Sequence, residues 1–579
     1  MLALAAVAFA AGAIVGANHA DSPSYALADR FVTAWTRGDY ATMYSDIDAS
    51  SRRTTSASEF AAAYQDALTT ATATGARIAG GAHGASGGLV AVPVRVRTRL
   101  FGALALSFDL RVVEEGEGAR VAWSRSAAFP GLRAGETLSR RTALPRRATL
   151  LARDGSVLAE SPGASAEGGR SSPLGSLASA VLGTVGPVPA SRRQALEAQG
   201  VPSTATVGVS GLEQALDDRL RGTAGGALLA SAPGQGGLGR VLAYVAPRPA
   251  PAVHSTVSPA LQRAAVTALG GQLGGIVAMQ PSSGQILAVA GIGLDGLQPP
   301  GSTFKMVTLT GVLEAGIANP RTVFPYASFA TLDGVKLNNA NGENCGGSLE
   351  LAFAVSCNSV FSPLGVKLGS ARLVAMAERL GFNHDPGLDG AAESTLPAAA
   401  QIQGELDVGS TAIGQGQVLA TPLQMAAIAA TIADGGRRPQ PTYTLGAHAA
   451  VKRVIGAAVA RTVRHLMTGV VRFGTGTSAA IPGVTVAGKT GTAELKTECS
   501  PSTSEHESGA SESAAREAGP EGCQATSEAS NTDAWFAAFA PALHPRIAVC
   551  VLLVKDGAGG ATAAPVARQV LEAGLRAGS

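Results

Sequence analysis

Lysine is nearly absent from this chain: seven residues of 579, against 38 arginines, and none before position 305. Arginine has taken its place wherever a generic cation suffices. Lysine differs from arginine in that burial can lower its pKa far enough to make it a base. The seven survivors, at 305, 336, 367, 452, 489, 496 and 555, are therefore the first residues to inspect. Charge as a whole is also sparse, at 15%, and aromatic residues make only 4%. Such a composition excludes a disordered polyelectrolyte. Lys+Arg 45 against Asp+Glu 42 leaves +3 with no long basic run, which argues against nucleic acid as a partner. Cysteine is scarce too. None of the five forms a CxxC pair, and the eight histidines lack HExxH spacing, so no metal centre or cofactor site is indicated. No phosphate-binding glycine loop opens a helix after a strand.

What is present is apolar material, 46% of the chain, enough for several packed cores in about three or four domains. Met1 to Ala17 carries no charge and is at the short end for a membrane span. Without a basic residue before it, a cleavable signal is disfavoured, although Val15-Gly16-Ala17 would pass as a cleavage site. Residues 1–20 are read as a membrane anchor or uncleaved signal, with the rest of the chain outside. Residues 495–530, rich in Ser, Glu, Ala and Gly, read as a solvated low-complexity insertion. Cys499 and Cys523 bracket much of it, either bonded to each other or as free thiols.

Helical spacing over Ala26, Phe31, Ala34 and Met43, then SASEFAAAYQDALTTA opened by Ser56 and Glu59, predicts helices. LVAVPVRVRTRL and ALALSFDLRVV alternate as the strands of a hairpin, and VAWSRS reads as one more strand. Together they predict a small α+β domain over 22–130. Between 135 and 250 lie a hairpin signal around Asp154-Gly155 and a predicted capping box at Ser210 and Glu213. From 253 to 577, helices alternate with apolar strands, as in a large mixed domain.

Three short elements in that last domain carry chemistry. Ser302-Thr-Phe-Lys305 leads into a helical run, where positions three apart share a face, so hydroxyl and amine can meet. A serine needs such a base to become a nucleophile, and a desolvated lysine can serve. Ser356-Cys357-Asn358 offers a second hydroxyl to relay a proton and an amide to hold a peptide group. Lys489-Thr490-Gly491-Thr492 lies in a strand whose glycines mark close backbone approach, suited to an extended ligand and its carboxylate. Alone each is weak. In this order they form the set of penicillin-binding proteins and serine β-lactamases. The competing pattern Gly84-Ala85-Ser86-Gly87-Gly88 precedes a strand instead of linking strand to helix, and reads as a loop.

With GIVAMQPSSGQILAVAG, STAIGQGQVLATPLQMA and DAWFAAFAP around them, these motifs resemble the class B penicillin-binding proteins, the monofunctional peptidoglycan D,D-transpeptidases. The segment GLEQALDDRLRG resembles their pedestal region, and AWTRGDYATMY the nuclear-transport-factor-like extension of the methicillin-resistance type. The resemblance implies a multidomain α+β chain. A small cone-like domain and a pedestal/dimerisation region would precede a β-lactamase/transpeptidase-like domain, an antiparallel sheet with a helical subdomain. It implies Ser302 as the acylated nucleophile, Lys305 as its base and Ser356 as proton shuttle. Asn358, Lys489, Thr490, Gly491 and Thr492 would bind substrate, with the N–H groups of Ser302 and Thr492 as the oxyanion hole. Expected partners are D-Ala-D-Ala stem peptides, an acceptor amine, β-lactams, the plasma membrane and a glycan polymerase. A D,D-carboxypeptidase and a β-lactam-acylated sensor are the alternatives. Glu393-Ser-Thr-Leu-Pro397 has proline where a class A lactamase motif would have asparagine, which disfavours rapid deacylation.

Overall fold

The structure is a computed structural model describing residues 23–116, 118–161, 169–232, 239–446, 451–494 and 531–577. The segment read as an anchor, the 495–530 insertion and Cys499 and Cys523 lie outside the described residues. Among the described residues, no single helix is long and apolar enough to cross a membrane.

The first unit follows from its periodicity. Helix Pro23–Arg37 buries Leu27, Phe31 and Trp35, one face of the 3.6-residue repeat. Helix Ala57–Thr70 opens with both reciprocal bonds of a capping box between Ser56 and Glu59. Strands Leu89–Thr98 and Ala103–Leu110 pair antiparallel as expected, with Val92, Val94 and Val96 inward and Arg95 and Arg97 outward. Phe31, Trp35, Phe60, Tyr64 and Phe108 fill the core between these layers. The stretch VAWSRS departs from its reading. Only Val121 belongs to a strand, Gly118–Val121, and Arg125–Ala128 turns as a short 3-10 helix. Trp123 donates its indole N–H to the Tyr64 hydroxyl at 3.1 Å, so the chain leaves the sheet to cap the aromatic core. Of the segment read as a loop, Gly84 and Ala85 belong to strand His83–Ala85, and only Ser86–Gly88 turns, as a 3-10 helix, into the next strand.

The middle region joins both ends. Its three-stranded sheet, Arg240–Val245, Gly225–Ser231 and Thr137–Ala143, sends Leu228 and Ala230 into the first core. Its hairpin, Leu150–Leu151 with Val157–Ala159, sends Leu150 and Leu158 into the large C-terminal core. The expected capping box at Ser210 and Glu213 does not form. The Ser210 hydroxyl accepts from the Thr184 N–H at 2.9 Å. The Glu213 carboxylate, 1% exposed, lies 2.6 Å from both Arg147 and Arg170. Four residues on, the equally buried Asp217 meets Arg147 and Arg221 at 2.7 Å and Arg192 at 3.0 Å. A buried carboxylate is tolerated only when such partners are present. The pattern that caps one helix here serves a salt-bridge network instead.

The C-terminal unit is built on a five-stranded antiparallel sheet in the order Ile286–Gly291, Gly274–Met279, Ile547–Leu553, Thr532–Ala540, Ala487–Glu494. Its central strands are buried along their whole length, because both faces are covered. Helices Pro259–Leu269 and Ala563–Ala577 cover one face. The other meets a helical subdomain centred on Lys305–Glu314, Asn358–Leu368 and Pro422–Ala433.

Removing one member of this network leaves an arginine buried without its counter-charge. Asp217→Asn should therefore lower unfolding free energy by about 3–5 kcal/mol in denaturant titration. A loss under 1 kcal/mol would show that Arg147, Arg192 and Arg221 are solvated rather than paired.

Candidate active site

The first and third motifs are brought together by glycine. A Cβ on Gly491 would lie 2.8 Å from the Pro300 carbonyl oxygen, and one on Gly301 2.7 Å from that of Thr492. Gly301 also needs its φ of +50°, which a side chain disfavours. The turn carrying Ser302 is thus pressed against the edge strand of the sheet, beside Thr492. From there the chain passes through a 3-10 turn, Gly301–Phe304, into helix Lys305–Glu314. Phe304 anchors it, edge-on to Phe382 with ring centroids 5.4 Å apart.

Lys305 is completely buried. Its Nζ donates to Asn358 Oδ1 at 2.6 Å and to the Ser356 carbonyl at 2.7 Å, and lies 3.3 Å from Ser356 Oγ. The described bonds of this amine therefore go to the second motif, not to Ser302 as the helical spacing alone suggested. Two N–H bonds fixed on acceptors leave a neutral amine one lone pair to accept a hydroxyl proton. Lys489, also fully buried, donates to Ser356 Oγ at 2.9 Å and to the Thr490 carbonyl at 2.9 Å. The two amines converge on one hydroxyl. Burial, reinforced by the Lys489 charge, holds Lys305 well below the usual lysine range. Burial alone pushes Lys489 down to about 7.

Ser356 reaches that hydroxyl position from a strained backbone. Helix Leu349–Ala354 ends with the Ser356 N–H on the Phe353 carbonyl and the Cys357 N–H on that of Ala352. This is a Schellman motif, and Ser356 occupies the left-handed position, φ +64°, that glycine ordinarily takes. A disulfide from Cys357 to Cys345, Cα atoms 5.9 Å apart, ties down the next residue. Cys357 had no structural role in the sequence reading. The only signal was two cysteines 12 residues apart.

Asn358 donates its side-chain N–H to the Asn338 carbonyl at 2.8 Å. Asn339 accepts from the Ser359 N–H at 2.8 Å and donates to the carbonyls of Ala327 and Glu343. These hairpin asparagines were not legible, since their partners are backbone atoms distant in sequence. Thr490 is 5% exposed, and its hydroxyl lies 2.6 Å from that of Thr475, which no motif contains. The structure thus brings Lys305, Ser356, Asn358 and Lys489 into direct contact, and the turn carrying Ser302 against the strand of Thr490, Gly491 and Thr492.

A fully buried lysine one helical turn from a half-buried serine, with a second buried lysine on the same Ser356 hydroxyl, is the arrangement of a serine acyltransferase of the β-lactamase/transpeptidase fold. Comparison with known proteins agrees. A family model of the penicillin-binding protein transpeptidase domain matches residues 274–572. A penicillin-binding protein dimerisation domain matches 158–232, and an NTF2-like N-terminal transpeptidase domain 24–136. The chain is 32% identical over 393 residues to the peptidoglycan D,D-transpeptidase PbpA of Mycolicibacterium smegmatis, covering 56% of this chain and 73% of that protein. The peptidoglycan D,D-transpeptidase MrdA of Acinetobacter baumannii is 26% identical, over 69% of this chain and 65% of that one. Among solved structures, the D,D-transpeptidase domain of a peptidoglycan glycosyltransferase from Eggerthella lenta superposes with a TM-score of 0.56 at 29% identity. It covers 75% of this chain and 99% of that one. A ceftriaxone acyl-enzyme complex of penicillin-binding protein A from M. tuberculosis gives 0.56 at 27% identity, over 74% and 98%. The chain belongs to the penicillin-binding protein transpeptidase family, with an NTF2-like N-terminal domain, and is a serine-type D,D-transpeptidase.

Two predictions follow from the geometry. Ser356→Gly removes a side chain from a left-handed position, so it should stabilise the fold by about 1 kcal/mol while depressing acylation. A destabilised glycine variant would mean that the hydroxyl contacts outweigh the backbone strain. The second concerns pH. Both lysines have folded pKa values below the unfolded one, so above about 7 the unfolded chain binds more protons than the folded chain. Stability should rise from pH 7 to 8.5, by at most about 1.4 kcal/mol per unit for each lysine. Above that window the opposite shift of buried Cys550 offsets the gain. Denaturant midpoints of wild type and Lys489→Met across the window read the difference. Equal slopes would remove Lys489 as a source of it.

Proposed function

We propose that this chain cross-links peptidoglycan by attacking the D-Ala-D-Ala bond of a stem peptide through Ser302. The observation that carries the reading is the pair of buried amines on the Ser356 hydroxyl, beside the turn that presents Ser302. Lys305 takes the Ser302 proton as the oxygen bonds to the donor carbonyl carbon. The N–H groups of Ser302 and Thr492, adjoining through the Gly301 contact, face the developing oxyanion. Ser356 passes a proton to the leaving D-Ala amine and is reprotonated from the lysines on either side. Asn358 holds the substrate amide. Lys489 contributes its charge from behind the strand, while Thr490 presents a hydroxyl to the terminal carboxylate. An acceptor amine then displaces Ser302 and completes the cross-link.

The edge position of strand Ala487–Glu494 supports the reading, since an extended peptide can add to it as a further strand. The Cys345–Cys357 bond suits an oxidising compartment, which fits a catalytic domain outside the plasma membrane held by the N-terminal apolar segment.

Intact-mass measurement after incubation with a labelled penicillin tests the assignment. Wild type should carry one stable adduct and Ser302→Ala none. Lys305→Arg keeps the charge but cannot be deprotonated, so acylation should slow by about 10²–10⁴. An adduct on the alanine variant would overturn Ser302 as nucleophile, and near-normal acylation of the arginine variant would overturn Lys305 as base.

A further inference from the structure

Thr475 sits outside all three motifs, on the loop after helix Ala457–Arg472. Its hydroxyl lies 2.6 Å from that of Thr490. Its N–H donates to the Ala354 carbonyl at 3.0 Å, and its hydroxyl is 3.4 Å from the same oxygen. Ala354 is the last residue of the helix whose end carries Ser356. The loop is fixed on both sides. A Cβ on Gly474 would meet the Ala354 carbonyl at 2.1 Å, and one on Gly560 would meet that of Thr475 at 2.2 Å. Yet the Thr475 side chain is exposed, although the residues around it are tightly fitted. A polar side chain held this closely on an exposed residue is not explained by packing.

The chemistry of two adjoining hydroxyls supplies the reason. Each has one proton and can both donate and accept. Thr475 is the partner of the Thr490 hydroxyl among the described residues. A carboxylate can only accept, so when one binds, Thr490 must turn its proton outward and then needs a donor behind it. Thr475 can supply that proton by rotating its own hydroxyl from the Ala354 carbonyl to Thr490, with no heavy atom moving. Bonds to charged acceptors are the strong ones, and a donor behind the first hydroxyl polarises it further.

We propose that Thr475 is a positioning residue for recognition of anionic acyl donors, acting through Thr490 to direct its hydroxyl at the ligand carboxylate. The inference rests on the acyl-enzyme reading above and deepens it by naming a determinant for the negatively charged end of the donor.

The test measures acylation of the full chain by benzylpenicillin and by its uncharged methyl ester. The proteins are wild type, Thr475→Val, Thr475→Ser, Thr490→Val and the double valine variant. Valine keeps the shape and removes the hydroxyl. For the free acid, Thr475→Val should raise the concentration giving half-maximal acylation rate about two- to twelvefold, the range of one net hydrogen bond between neutral groups. It should change the limiting rate less than twofold. Thr475→Ser should restore the wild-type value, the ester should show no such shift, and the double variant should be no worse than Thr490→Val alone. Equal losses with acid and ester would overturn the proposal, because Thr475 would then act by holding Ala354 and the second motif. So would additive losses in the double variant, or no loss in Thr475→Val. A wild type that forms no adduct on Ser302 would instead overturn the acyl-enzyme reading itself.

Discussion

Two lysine amines buried around one serine hydroxyl are the constraint on which the rest of this protein depends. Neither amine reaches solvent, and each lies over an aromatic ring, Lys305 over Phe361 and Lys489 over Phe353, with 5.6 Å to the centroid. Burying two full charges this close would be prohibitive, so the site favours losing a proton. That loss is the state the proposed reaction needs. A neutral Lys305, its two N–H groups held by Asn358 and the Ser356 carbonyl, has its lone pair left for chemistry. The surrounding elements maintain this arrangement against the preference of each lysine for water. The first motif delivers Lys305 from a helix, the second delivers Ser356 from a helix end, and the third delivers Lys489 from a sheet edge.

Bringing three elements so close requires backbone to touch backbone, and small residues permit it. Gly301 and Gly491 let the serine turn meet the strand, and Gly559 approaches that strand from beyond, its added Cβ falling 2.3 Å from the Gly491 carbonyl. Behind the site, the pedestal contributes to both the N-terminal and the C-terminal core, so it links the two. Its charges are arginine with Glu213 and Asp217, where five fixed donors and a permanent charge suit a static network. The two buried lysines, Lys305 and Lys489, stand instead where the proposed reaction moves a proton. The division of labour between the two cations follows their acidities.

Much of this was legible before any coordinates. Alternation in LVAVPVRVRTRL pointed to a strand, which forms over Leu89–Thr98, and the motifs pointed to Lys305, Ser356, Asn358 and Lys489, which lie in contact. What the residues did not disclose depends on tertiary partners. Ser56 with Glu59 and Ser210 with Glu213 share one pattern, yet only the first pair caps a helix. The second carboxylate is claimed by Arg147 and Arg170, which lie 66 and 43 residues away. Trp123 looked like strand because aromatic and β-branched neighbours favour strands, but its indole is worth more over the first core. The expected meeting of Lys305 with Ser302 came from helical spacing. The structure instead spends the amine's N–H groups on Asn358 and Ser356, a geometry that no local pattern encodes.

The second motif shows why local rules fail where function is placed. A helix end in Schellman geometry calls for glycine, and a serine there costs on the order of 1 kcal/mol or more. Glycine would carry no hydroxyl to stand between the two amines. The strain is therefore the condition for placing a hydroxyl between the two amines, and the surroundings over-determine it. Two helix-end hydrogen bonds hold the turn, the disulfide to Cys345 fixes the following residue, and Asn358 is held on both faces by Lys305 and the Asn338 carbonyl. The same turn begins at Ala354, whose carbonyl receives Thr475. A single backbone oxygen thus connects the strained turn of Ser356 to the hydroxyl pair of Thr475 and Thr490, so a shift of one is felt at the other.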